Sequence, residues 1–258
     1  MQVVILAGGL GTRISEETTI KPKPMVEIGL EPILWHIMKI YSAHGFNDFI
    51  ICAGYKQNVI KDYFVSYLRN RIDIEVNFRG NDVKMLNEHK EEWNVKIIDT
   101  GLSTMTGGRI KRISRFLPDK EDFLLTYGDG VADININDLV LFHKRHGKLA
   151  TVTAVQPTGR FGRLFIENGD SVASYSEKRK GDDGWINAGF YVLNKRVIDF
   201  IEGDNTTWET APMSELAQMG ELKAFKHRGF WEPMDTLNDK IKLEKLWQTN
   251  PPWRIWNE

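Results

Sequence analysis

The sequence predicts an α/β fold in which a parallel sheet carries a small antiparallel side region. Apolar strands alternate with segments of helical periodicity in the first part of the chain. A continuous apolar strand at 123–127 ends abruptly at Gly128-Asp129-Gly130, as expected of a strand buried on both faces. After Gly147 the pattern changes to short strands separated by turn residues. These three observations together indicate the fold class.

The elements follow from the periodicity in chain order. A strand at 3–7 runs into a glycine-rich turn, and a helix begins at Pro32 and ends near Gly45. A strand at 49–53, a helix at 59–68 and a strand at 72–78 complete a βαβαβ order, which predicts parallel pairing. Further on we expect strands at 151–155, 164–166 and 172–176 in an antiparallel side sheet, a strand at 190–193, and helices at 197–201, 214–219 and 237–247.

Length and composition restrict the class of protein. A chain of 258 residues with 41% hydrophobic and 27% charged residues is typical of a soluble globular protein, and we expect one domain over residues 1–258. The net charge of −1 gives no bulk attraction to nucleic acid or to an anionic membrane, so we expect neither as a partner. Any anion site must therefore be local.

The cysteine content and the apolar segments of the sequence indicate the compartment of the protein. Cys52 is the only cysteine, so no intramolecular disulfide can form, and its apolar neighbours favour a role as core filler. The apolar run after Met1 is too short for a signal sequence, and no stretch reaches the length of a membrane span. We therefore expect a cytoplasmic protein. The tail with Trp253 and Trp256 can either form an interface or pack back onto the domain.

The turn after the first strand has the composition of a phosphate-binding loop. Its sequence is Leu6-Ala7-Gly8-Gly9-Leu10-Gly11-Thr12-Arg13, followed by Lys21-Pro22-Lys23-Pro24. Glycines let backbone N–H groups approach a polyanion, and the cations supply positive charge. The loop lacks the Gly-Lys-Ser/Thr of a Walker A motif, and Ile14 stands where a dinucleotide fingerprint has a third glycine. We expect a triphosphate cradle of another type; the alternative is an ordinary flexible turn.

Two cations are the candidate catalytic groups of this loop. Pro22 and Pro24 restrict the backbone on both sides of Lys23 and limit where its side chain points, although a solvated lysine is the alternative. Arg13 lies two residues past Gly11, close enough to neutralise the β- and γ-phosphates as pyrophosphate leaves. Both are expected to stabilise the transition state.

Asp129 is the candidate metal ligand and the third candidate catalytic residue. It lies between two glycines at a buried strand end, and Mg²⁺ prefers few carboxylates together with phosphate oxygens and water. Asp235 is the best second carboxylate, but its position also suits the N-cap of the last helix. The sequence leaves these two interpretations of Asp235 open.

A charged segment in the second half is the candidate acceptor site. Glu177-Lys178-Arg179-Lys180 precedes Asn187, and Lys178 could contact an incoming phosphomonoester while Glu177 and Asn187 form hydrogen bonds with hydroxyl groups. A solvated turn is the alternative. No histidine, serine or cysteine grouping has the pattern of a nucleophile with its base, so a direct displacement fits better than a covalent intermediate.

These motifs resemble those of the sugar-1-phosphate nucleotidylyltransferases, and the resemblance runs nearly end to end. It is carried by residues 6–13, by Lys21-Pro22-Lys23-Pro24-Met25, by Tyr127-Gly128-Asp129-Gly130-Val131-Ala132-Asp133, and by Phe230-Trp231 with Pro233-Met234-Asp235. The segment Asp99-Thr100-Gly101 through Thr104-Met105-Thr106-Gly107-Gly108-Arg109 is similar to the cytidylyl branch of that family.

The resemblance implies a reaction and a set of roles. A sugar 1-phosphate, α-D-glucose 1-phosphate in the first instance, would attack the α-phosphorus of CTP with Mg²⁺ as cofactor, giving CDP-glucose and pyrophosphate. Asp129 and Asp235 would bind the metal, and Lys178 would meet the sugar phosphate. The nucleotide would be held by Leu6, Ala7, Gly8, Gly9, Leu10, Gly11, Thr12, Arg13, Lys23, Thr104, Arg109 and Gly128.

The resemblance also implies an architecture and a setting. The fold would be a Rossmann-like, mixed, mainly parallel nucleotidyltransferase sheet flanked by helices, with a small antiparallel side region. Residues 1–147 would bind the nucleotide, and residues 148–258 would bind the sugar phosphate and supply the C-terminal helix and tail. Members are commonly homo-oligomers, and a CDP-sugar would feed surface polysaccharides such as the O-antigen of lipopolysaccharide.

Departures from the family pattern concern mostly the acceptor. Arg179 replaces a usual proline, Arg163 a small residue and Glu232 a common glutamine, so another hexose 1-phosphate or a non-sugar phosphate stays open as the acceptor. UTP or dTTP in place of CTP is a second alternative, because a few contacts distinguish the bases. A nucleotide sensor without turnover is a third, although two metal-binding carboxylates argue against it.

Overall fold

The computed structural model describes residues 1–67, 69–87, 91–119, 121–157, 163–167, 171–176 and 184–256. Within them fifteen strands form, in chain order β1 (Val3–Ala7), β2 (Glu27–Ile28), β3 (Glu31–Pro32), β4 (Asp48–Ala53), β5 (Ile74–Asn77), β6 (Asp82–Met85), β7 (Asn94–Asp99), β8 (Asp122–Tyr127), β9 (Gly130–Ala132), β10 (Ala150–Val155), β11 (Arg163–Glu167), β12 (Ser171–Ser176), β13 (Ile186–Asn194), β14 (Leu222–Lys226) and β15 (Trp231–Pro233).

The same residues form seven α-helices and several 3-10 turns. The helices are α1 (Ser15–Thr18), α2 (Ile33–Ser42), α3 (Gln57–Tyr67), α4 (Thr106–Arg112), α5 (Ile136–His146), α6 (Ala211–Gln218) and α7 (Leu237–Thr249). The 3-10 turns are Thr12–Ile14, Lys23–Met25, Ser114–Phe116 and Lys195–Phe200. Among the residues described, no helix combines the length and the apolar character needed to cross a membrane.

A seven-stranded sheet in the order β14-β10-β13-β8-β1-β4-β7 forms the centre of the fold. β1 pairs in parallel with both β4 and β8, so that Ile5 lies opposite Ile51 on one side and Thr126 on the other. β7 and β14 also add in parallel, to β4 and β10. β13 is antiparallel to both of its neighbours, β8 and β10. The sheet is therefore mixed and mainly parallel, as predicted.

Helices cover both faces of this sheet. On one face Ile33, Ile37 and Tyr41 of α2 pack against alternate residues of β1 and β4. On the other face the core contains Ile110 of α4 and Leu216 of α6. All five residues of β1 are buried, which explains its continuous apolar sequence. Cys52 is fully buried in the second layer, and burial raises the pKa of its thiol to about 12, so its predicted role as core filler is confirmed.

Two strand assignments made from the sequence are wrong in their pairing. The strand predicted at 72–78 exists as β5, but within the described residues it pairs with β6 in a separate antiparallel hairpin, and β7 is the strand that extends the parallel sheet. The strand predicted at 151–155 in the side sheet is β10 of the central sheet. The side region predicted at 164–166 and 172–176 is present as the antiparallel pair β11–β12.

The chain returns to the sheet near its C-terminus. β15 pairs with β9, so that Pro233 lies opposite Gly130. α7 follows, and the tail packs back onto the domain: Trp253 is fully buried and stacks on Trp247 and Phe230. Of the two interpretations of the tail, packing onto the domain is the one observed for Trp253. This return places the residues after β15 beside the ends of β1 and β8.

Candidate active site

The glycine-rich loop begins where β1 ends and encloses a cavity of about 310 Å³. Gly11 has φ +65°, a backbone conformation that favours glycine, and its carbonyl accepts hydrogen bonds from Ile14 N and Thr18 Oγ1. The loop therefore turns back on itself into the 3-10 turn Thr12–Ile14. The cavity is lined by Leu6, Ala7, Gly9, Gly11, Thr12, Lys23, Pro24, Gly128, Asp129 and Asp235.

Lys23 lies at the floor of this cavity between two carboxylates. Its Nζ donates hydrogen bonds to Asp129 Oδ2 at 2.6 Å and to Asp235 Oδ1 at 2.7 Å, and its side chain is 12% exposed. Burial lowers the pKa of Lys23, but the charge of Asp129 and the hydrogen bonds to both carboxylates outweigh burial, so the pKa is raised. Lys23 is therefore a charged, oriented group, and the alternative of a solvated lysine is wrong.

The two carboxylates are brought together by backbone pairing. Asp129 follows β8, Asp235 follows β15, and Met234 N donates to Asp129 O at 2.7 Å. The N-cap of α7 is Thr236, which forms a capping box with Asp239. The interpretation of Asp235 as the N-cap is therefore wrong; this residue lines the cavity instead. The Thr-x-x-Asp spacing at 236–239 was the sequence signal for this cap.

The pair of carboxylates suits a Mg²⁺ ion that brings most of its own ligands. Among the described residues, no group of three or more His, Cys, Asp or Glu side chains could hold a metal by itself. Asp129 and Asp235 are both near one cation, the Lys23 ammonium, and both border the cavity. Two carboxylates plus phosphate oxygens and water is a donor set that Mg²⁺ accepts. The residues present therefore fit a metal that arrives with a triphosphate.

Arg109 joins the glycine-rich loop to α4. Its guanidinium donates to Thr100 Oγ1 at 2.7 Å, to Gly101 O at 2.8 Å and to Gly8 O at 2.9 Å, and the residue is 4% exposed. Gly8 has no room for a side chain here, because a Cβ would lie 2.0 Å from Arg109 Nη1. Thr104, just before α4, is also buried. The structure therefore places Arg109 against the back of the loop, where it fixes the position of Gly8.

A second, larger cavity of about 1200 Å³ lies on the other side of the carboxylates. It shares Asp129 and Asp235 with the first cavity. Asn187 lines it, and its amide donates to Tyr191 Oη while its Oδ1 accepts from Gly189 N at 2.8 Å. Glu232, one of the residues that departs from the family pattern, forms an ion pair with Lys242 in the cavity wall.

Several predicted site residues lie outside the described part of the chain. These are Glu177, Lys178 and Arg179, together with the side chains of Arg13 and Arg163. The remaining predicted residues fall into three groups. Leu6, Ala7, Gly9, Gly11, Thr12, Lys23, Gly128, Asp129 and Asp235 line the small cavity, Asn187 lines the large one, and Gly8, Leu10, Thr104 and Arg109 belong to the loop or to the start of α4.

Sequence reasoning missed two residues of the large cavity's surroundings. Tyr127 lines the cavity, and its hydroxyl donates to the carboxylate of Glu209. Tyr127 carried a signal, since it directly precedes Gly128-Asp129. Glu209 carried none, because it lies in a polar turn before α6, and only folding brings it to Tyr127, 82 positions away.

Comparison with known proteins agrees with this geometry. The model of the nucleotidyl transferase family matches residues 2–242. Glucose-1-phosphate cytidylyltransferase of Salmonella typhi is 58% identical over 257 residues, which cover 99% of this chain and 100% of the relative. Probable glucose-1-phosphate cytidylyltransferase of Bacillus subtilis is 43% identical over 99% of this chain and 100% of the relative. The crystal structure of HddC from Yersinia pseudotuberculosis has the same fold, with TM-score 0.71 and 24% identity over 95% of this chain and 99% of that chain.

Proposed function

The chain belongs to the nucleotidyl transferase family, and we propose that it transfers the cytidylyl group of CTP to α-D-glucose 1-phosphate, giving CDP-glucose and pyrophosphate. Full-length relatives named as glucose-1-phosphate cytidylyltransferases support the choice of both substrates. The domain would be divided by role: residues 1–147 would carry most of the nucleotide site, and residues 148–258 most of the acceptor site. A CDP-sugar of this kind would supply the assembly of a surface polysaccharide such as O-antigen.

One observation carries the chemistry. The small cavity of the glycine-rich loop and the large cavity meet at Asp129 and Asp235. A transfer between two bound substrates needs two sites with the reacting atoms at their junction, because proximity and orientation provide much of the rate. A nucleotide sensor would need only the first of these cavities. Two cavities that share a pair of carboxylates therefore favour a transferase.

The nucleotide side is built for a triphosphate. Gly9 and Gly11 line the small cavity without side chains, so loop amides can donate to phosphate oxygens there. Lys23 is held at the same cavity by Asp129 and Asp235, and can turn to a phosphate oxygen when the carboxylates take another cation. Arg13 follows the loop and would add a second positive charge. Arg109 lies behind the loop, bonded to Gly8 O, and Thr104 is buried just before α4; both would help to hold the nucleotide.

The cofactor we propose is Mg²⁺, held by Asp129 and Asp235. When bound, the ion would neutralise phosphate charge and draw electron density from the α-phosphorus. The two carboxylates supply the negative charge that such an ion needs, and both form ion pairs with the Lys23 ammonium in the structure. Divalent-metal dependence is general in this family, and the two-carboxylate geometry supports the choice of a hard cation with few protein ligands.

The reaction would be one direct displacement. An oxygen of the sugar phosphate forms a bond to the α-phosphorus while the bond from that phosphorus to the bridging oxygen breaks, and pyrophosphate leaves with the electron pair. Charge develops on the leaving pyrophosphate, and Lys23 and Arg13 would stabilise it. Loss of one such contact typically costs about a hundredfold to a thousandfold in rate.

The acceptor would occupy the large cavity. Asn187 lines this cavity; its Nδ2 donates to Tyr191 Oη and, at 3.4 Å, to Tyr127 Oη, and its Oδ1 keeps one lone pair beyond the bond from Gly189 N. It would hold a sugar hydroxyl, with Glu177 and Lys178 serving a hydroxyl and the phosphate. The Glu232–Lys242 ion pair neutralises the acid that replaces the usual glutamine, so this replacement adds no unpaired charge to the wall. A neutralised Glu232 is compatible with a glucose 1-phosphate that carries its only charge on the phosphate.

The test is a panel of nucleotides with the purified protein. Glucose 1-phosphate and magnesium are incubated with CTP, UTP, dTTP, GTP or ATP in turn, and pyrophosphate release is followed together with the nucleotide sugar formed. We expect CTP to give by far the fastest release and CDP-glucose as the product. Faster release with UTP or dTTP would contradict the cytidylyl assignment. Binding of CTP without pyrophosphate, with this and other hexose 1-phosphates, would favour the sensor.

We further propose a homo-oligomer, and the exposed β5–β6 hairpin supports it. Cross-strand pairs place Ile74 opposite Met85 and Val76 opposite Val83 on one face of the hairpin, and all four side chains are exposed. Exposed apolar faces of this kind mark interaction sites. Light scattering after size exclusion should give a multiple of 29.7 kDa for the wild type and a smaller mass for Val76→Glu. A monomeric wild type would contradict the proposal.

A further inference from the structure

A series of partly buried hydrogen bonds connects the large cavity to α4, and Glu209 lies at its centre. One carboxylate oxygen of Glu209 accepts from the Tyr127 hydroxyl, and the other accepts from Thr106 Oγ1 at 2.6 Å. Thr106 Oγ1 itself accepts from Trp208 N at 2.9 Å, so its one proton must point to Glu209. The position of the carboxylate is therefore fixed from the α4 side.

The carboxylate sets the direction of the Tyr127 hydroxyl. A carboxylate only accepts, so Tyr127 donates to Glu209 and its oxygen can only accept from Tyr191 Oη, 3.0 Å away; Met213 Sδ, 3.8 Å from Tyr191 Oη, is the other acceptor near that hydroxyl. Tyr191 in turn accepts from the side-chain amide of Asn187. Burial raises the pKa of both tyrosines, and in Tyr127 the neighbouring Tyr191 and Glu209 add to the effect, so both hydroxyls keep their protons.

The two residues of this hydrogen-bond series that line the cavity are held in place. Tyr127 and Asn187 line the cavity of about 1200 Å³. The Tyr127 ring packs against Gly189, which has φ +82°, and a Cβ there would lie 2.4 Å from the ring. Asn187 is fixed at its oxygen by Gly189 N and at its nitrogen by Tyr191 Oη, with Tyr127 Oη also accepting from that nitrogen at 3.4 Å. The remaining lone pair of Asn187 Oδ1 therefore points in one defined direction.

We propose that Glu209 is a positioning residue for the acceptor: through Tyr127 and Tyr191 it fixes the orientation in which Asn187 offers its amide to a sugar hydroxyl. This role rests on the proposed function, because it assumes that the large cavity takes the sugar phosphate. Glu209 itself does not line the cavity, so it acts only through the tyrosines. No sequence pattern near Glu209 predicts this role.

The test uses Glu209→Gln, which keeps the shape of the side chain and changes its polarity. An amide accepts at one end only, so its NH₂ group must face either Tyr127 or Thr106, and the hydroxyl on that side must reverse. The Michaelis constants for glucose 1-phosphate and CTP, kcat and the thermal midpoint are measured for the wild type, Glu209→Gln and Glu215→Gln. Glu215 is the matched control, because it is an exposed glutamate on α6 in the same part of the chain.

We expect the KM for glucose 1-phosphate to rise about tenfold in Glu209→Gln, the size expected when a hydrogen bond to a charged group is lost. The KM for CTP should change less than about threefold, and the control should match the wild type. Tyr127→Phe keeps the ring against Gly189 and breaks the same chain, so it should give a similar rise. The double variant should be no worse than either single one, because both remove one link.

The outcomes separate this role from the proposed function. A wild type that forms no pyrophosphate from CTP and glucose 1-phosphate would overturn the proposed function, and with it the premise of this role. An active wild type with an unchanged KM for glucose 1-phosphate in Glu209→Gln would overturn the positioning role alone. Equal rises in both Michaelis constants together with a lowered thermal midpoint would also overturn it, because they would indicate a packing defect. If Glu209→Gln fails to fold, Tyr127→Phe decides: an unchanged acceptor KM there overturns the role.

Discussion

The ammonium of Lys23 lies 2.7 Å from Oδ1 of Asp235, although 212 positions separate the two residues in the chain. Backbone pairing of β15 with β9 produces this contact, because it sets Asp235 next to Asp129 at the end of β8. The same ammonium lies 2.6 Å from Asp129 Oδ2. One ammonium is therefore shared by both carboxylates at the junction of the two cavities.

We expect Lys23→Met to bind a divalent cation more tightly than the wild type does. In the wild type the ammonium forms ion pairs with Asp129 and Asp235, so Mn²⁺ added without nucleotide competes with it and binds weakly. Without the ammonium the two carboxylates lose the positive charge that they share, and we expect Mn²⁺ to bind at least about tenfold more tightly. Electron paramagnetic resonance of free Mn²⁺ in a titration of nucleotide-free protein gives the affinity.

Lys21→Met is the matched control for that titration. Lys21 lies two residues earlier and pairs with Glu27 at 2.9 Å, away from the two aspartates. Its removal should leave Mn²⁺ binding as in the wild type. Equal Mn²⁺ affinity in Lys23→Met and the wild type would show that the ammonium does not compete with a metal for these carboxylates.

Alanine at two adjacent glycines of the loop should have different effects, one on stability and the other on CTP binding. A Cβ at Gly8 would lie 2.0 Å from Arg109 Nη1, and that guanidinium is held by Thr100 and Gly101, so Gly8→Ala should lower the free energy of unfolding by about 1–3 kcal/mol. A Cβ at Gly9 meets no protein atom within 4 Å and faces the small cavity. Gly9→Ala should keep its stability and raise the KM for CTP about tenfold or more.

Chemical denaturation and steady-state kinetics on both variants separate the two effects. The wild type provides the reference for each measurement. A stable Gly8→Ala, or a Gly9→Ala with unchanged KM for CTP, would contradict the placement of the loop between Arg109 and the nucleotide.

His36 should make folding stability sensitive to acid. It is fully buried, its Nε2 donates to Ile28 O at 2.9 Å, and burial lowers its pKa to about 4, against weaker opposing effects of backbone hydrogen bonds and Glu244. Between pH 6.5 and pH 4 the unfolded chain takes up a proton that the folded protein does not, so stability falls as pH falls. This group alone should cost about 2 kcal/mol between pH 7.5 and pH 5.

The comparison that isolates this residue is His36→Gln, whose amide can still donate to Ile28 O. Other groups titrate equally in both proteins, so the difference in their pH dependence reports His36. Free energies of unfolding from denaturant titration at several pH values should fall less steeply for the variant. Parallel curves would show that His36 does not stay neutral in the folded protein.

The fold could be predicted where burial alone decides the pattern. The strands that became β1, β4 and β8 have continuous apolar sequences because both faces are covered, and their pairing follows from the alternation with helices. β10 was misplaced because Thr151 and Thr153 give it the alternation of a one-sided strand. Both threonines are buried, and Thr151 Oγ1 bonds to His143 Nδ1 at 2.8 Å, a partner that the local pattern cannot reveal.

Some residues of the candidate site could be predicted from the sequence, and others could not. Residues that work through backbone geometry or an isolated charge, such as Gly11, Lys23 and Asp129, stand out in the sequence, because few other reasons explain glycine or acid at those positions. Glu209 depends on a contact made across 82 positions, and β5 could not be assigned a partner from its own alternation. Pairing between distant segments is set by the whole packing arrangement, which a local pattern does not contain.

The most direct test of the central claim removes the charge of each shared carboxylate. Asp129→Asn, Asp235→Asn and the control Asp62→Asn, an exposed residue of α3, are assayed for pyrophosphate and CDP-glucose formation from CTP and glucose 1-phosphate with magnesium. We predict that each of the first two retains its thermal midpoint and loses at least about a hundredfold in kcat, while Asp62→Asn matches the wild type. Wild-type turnover in Asp129→Asn and Asp235→Asn would contradict the account.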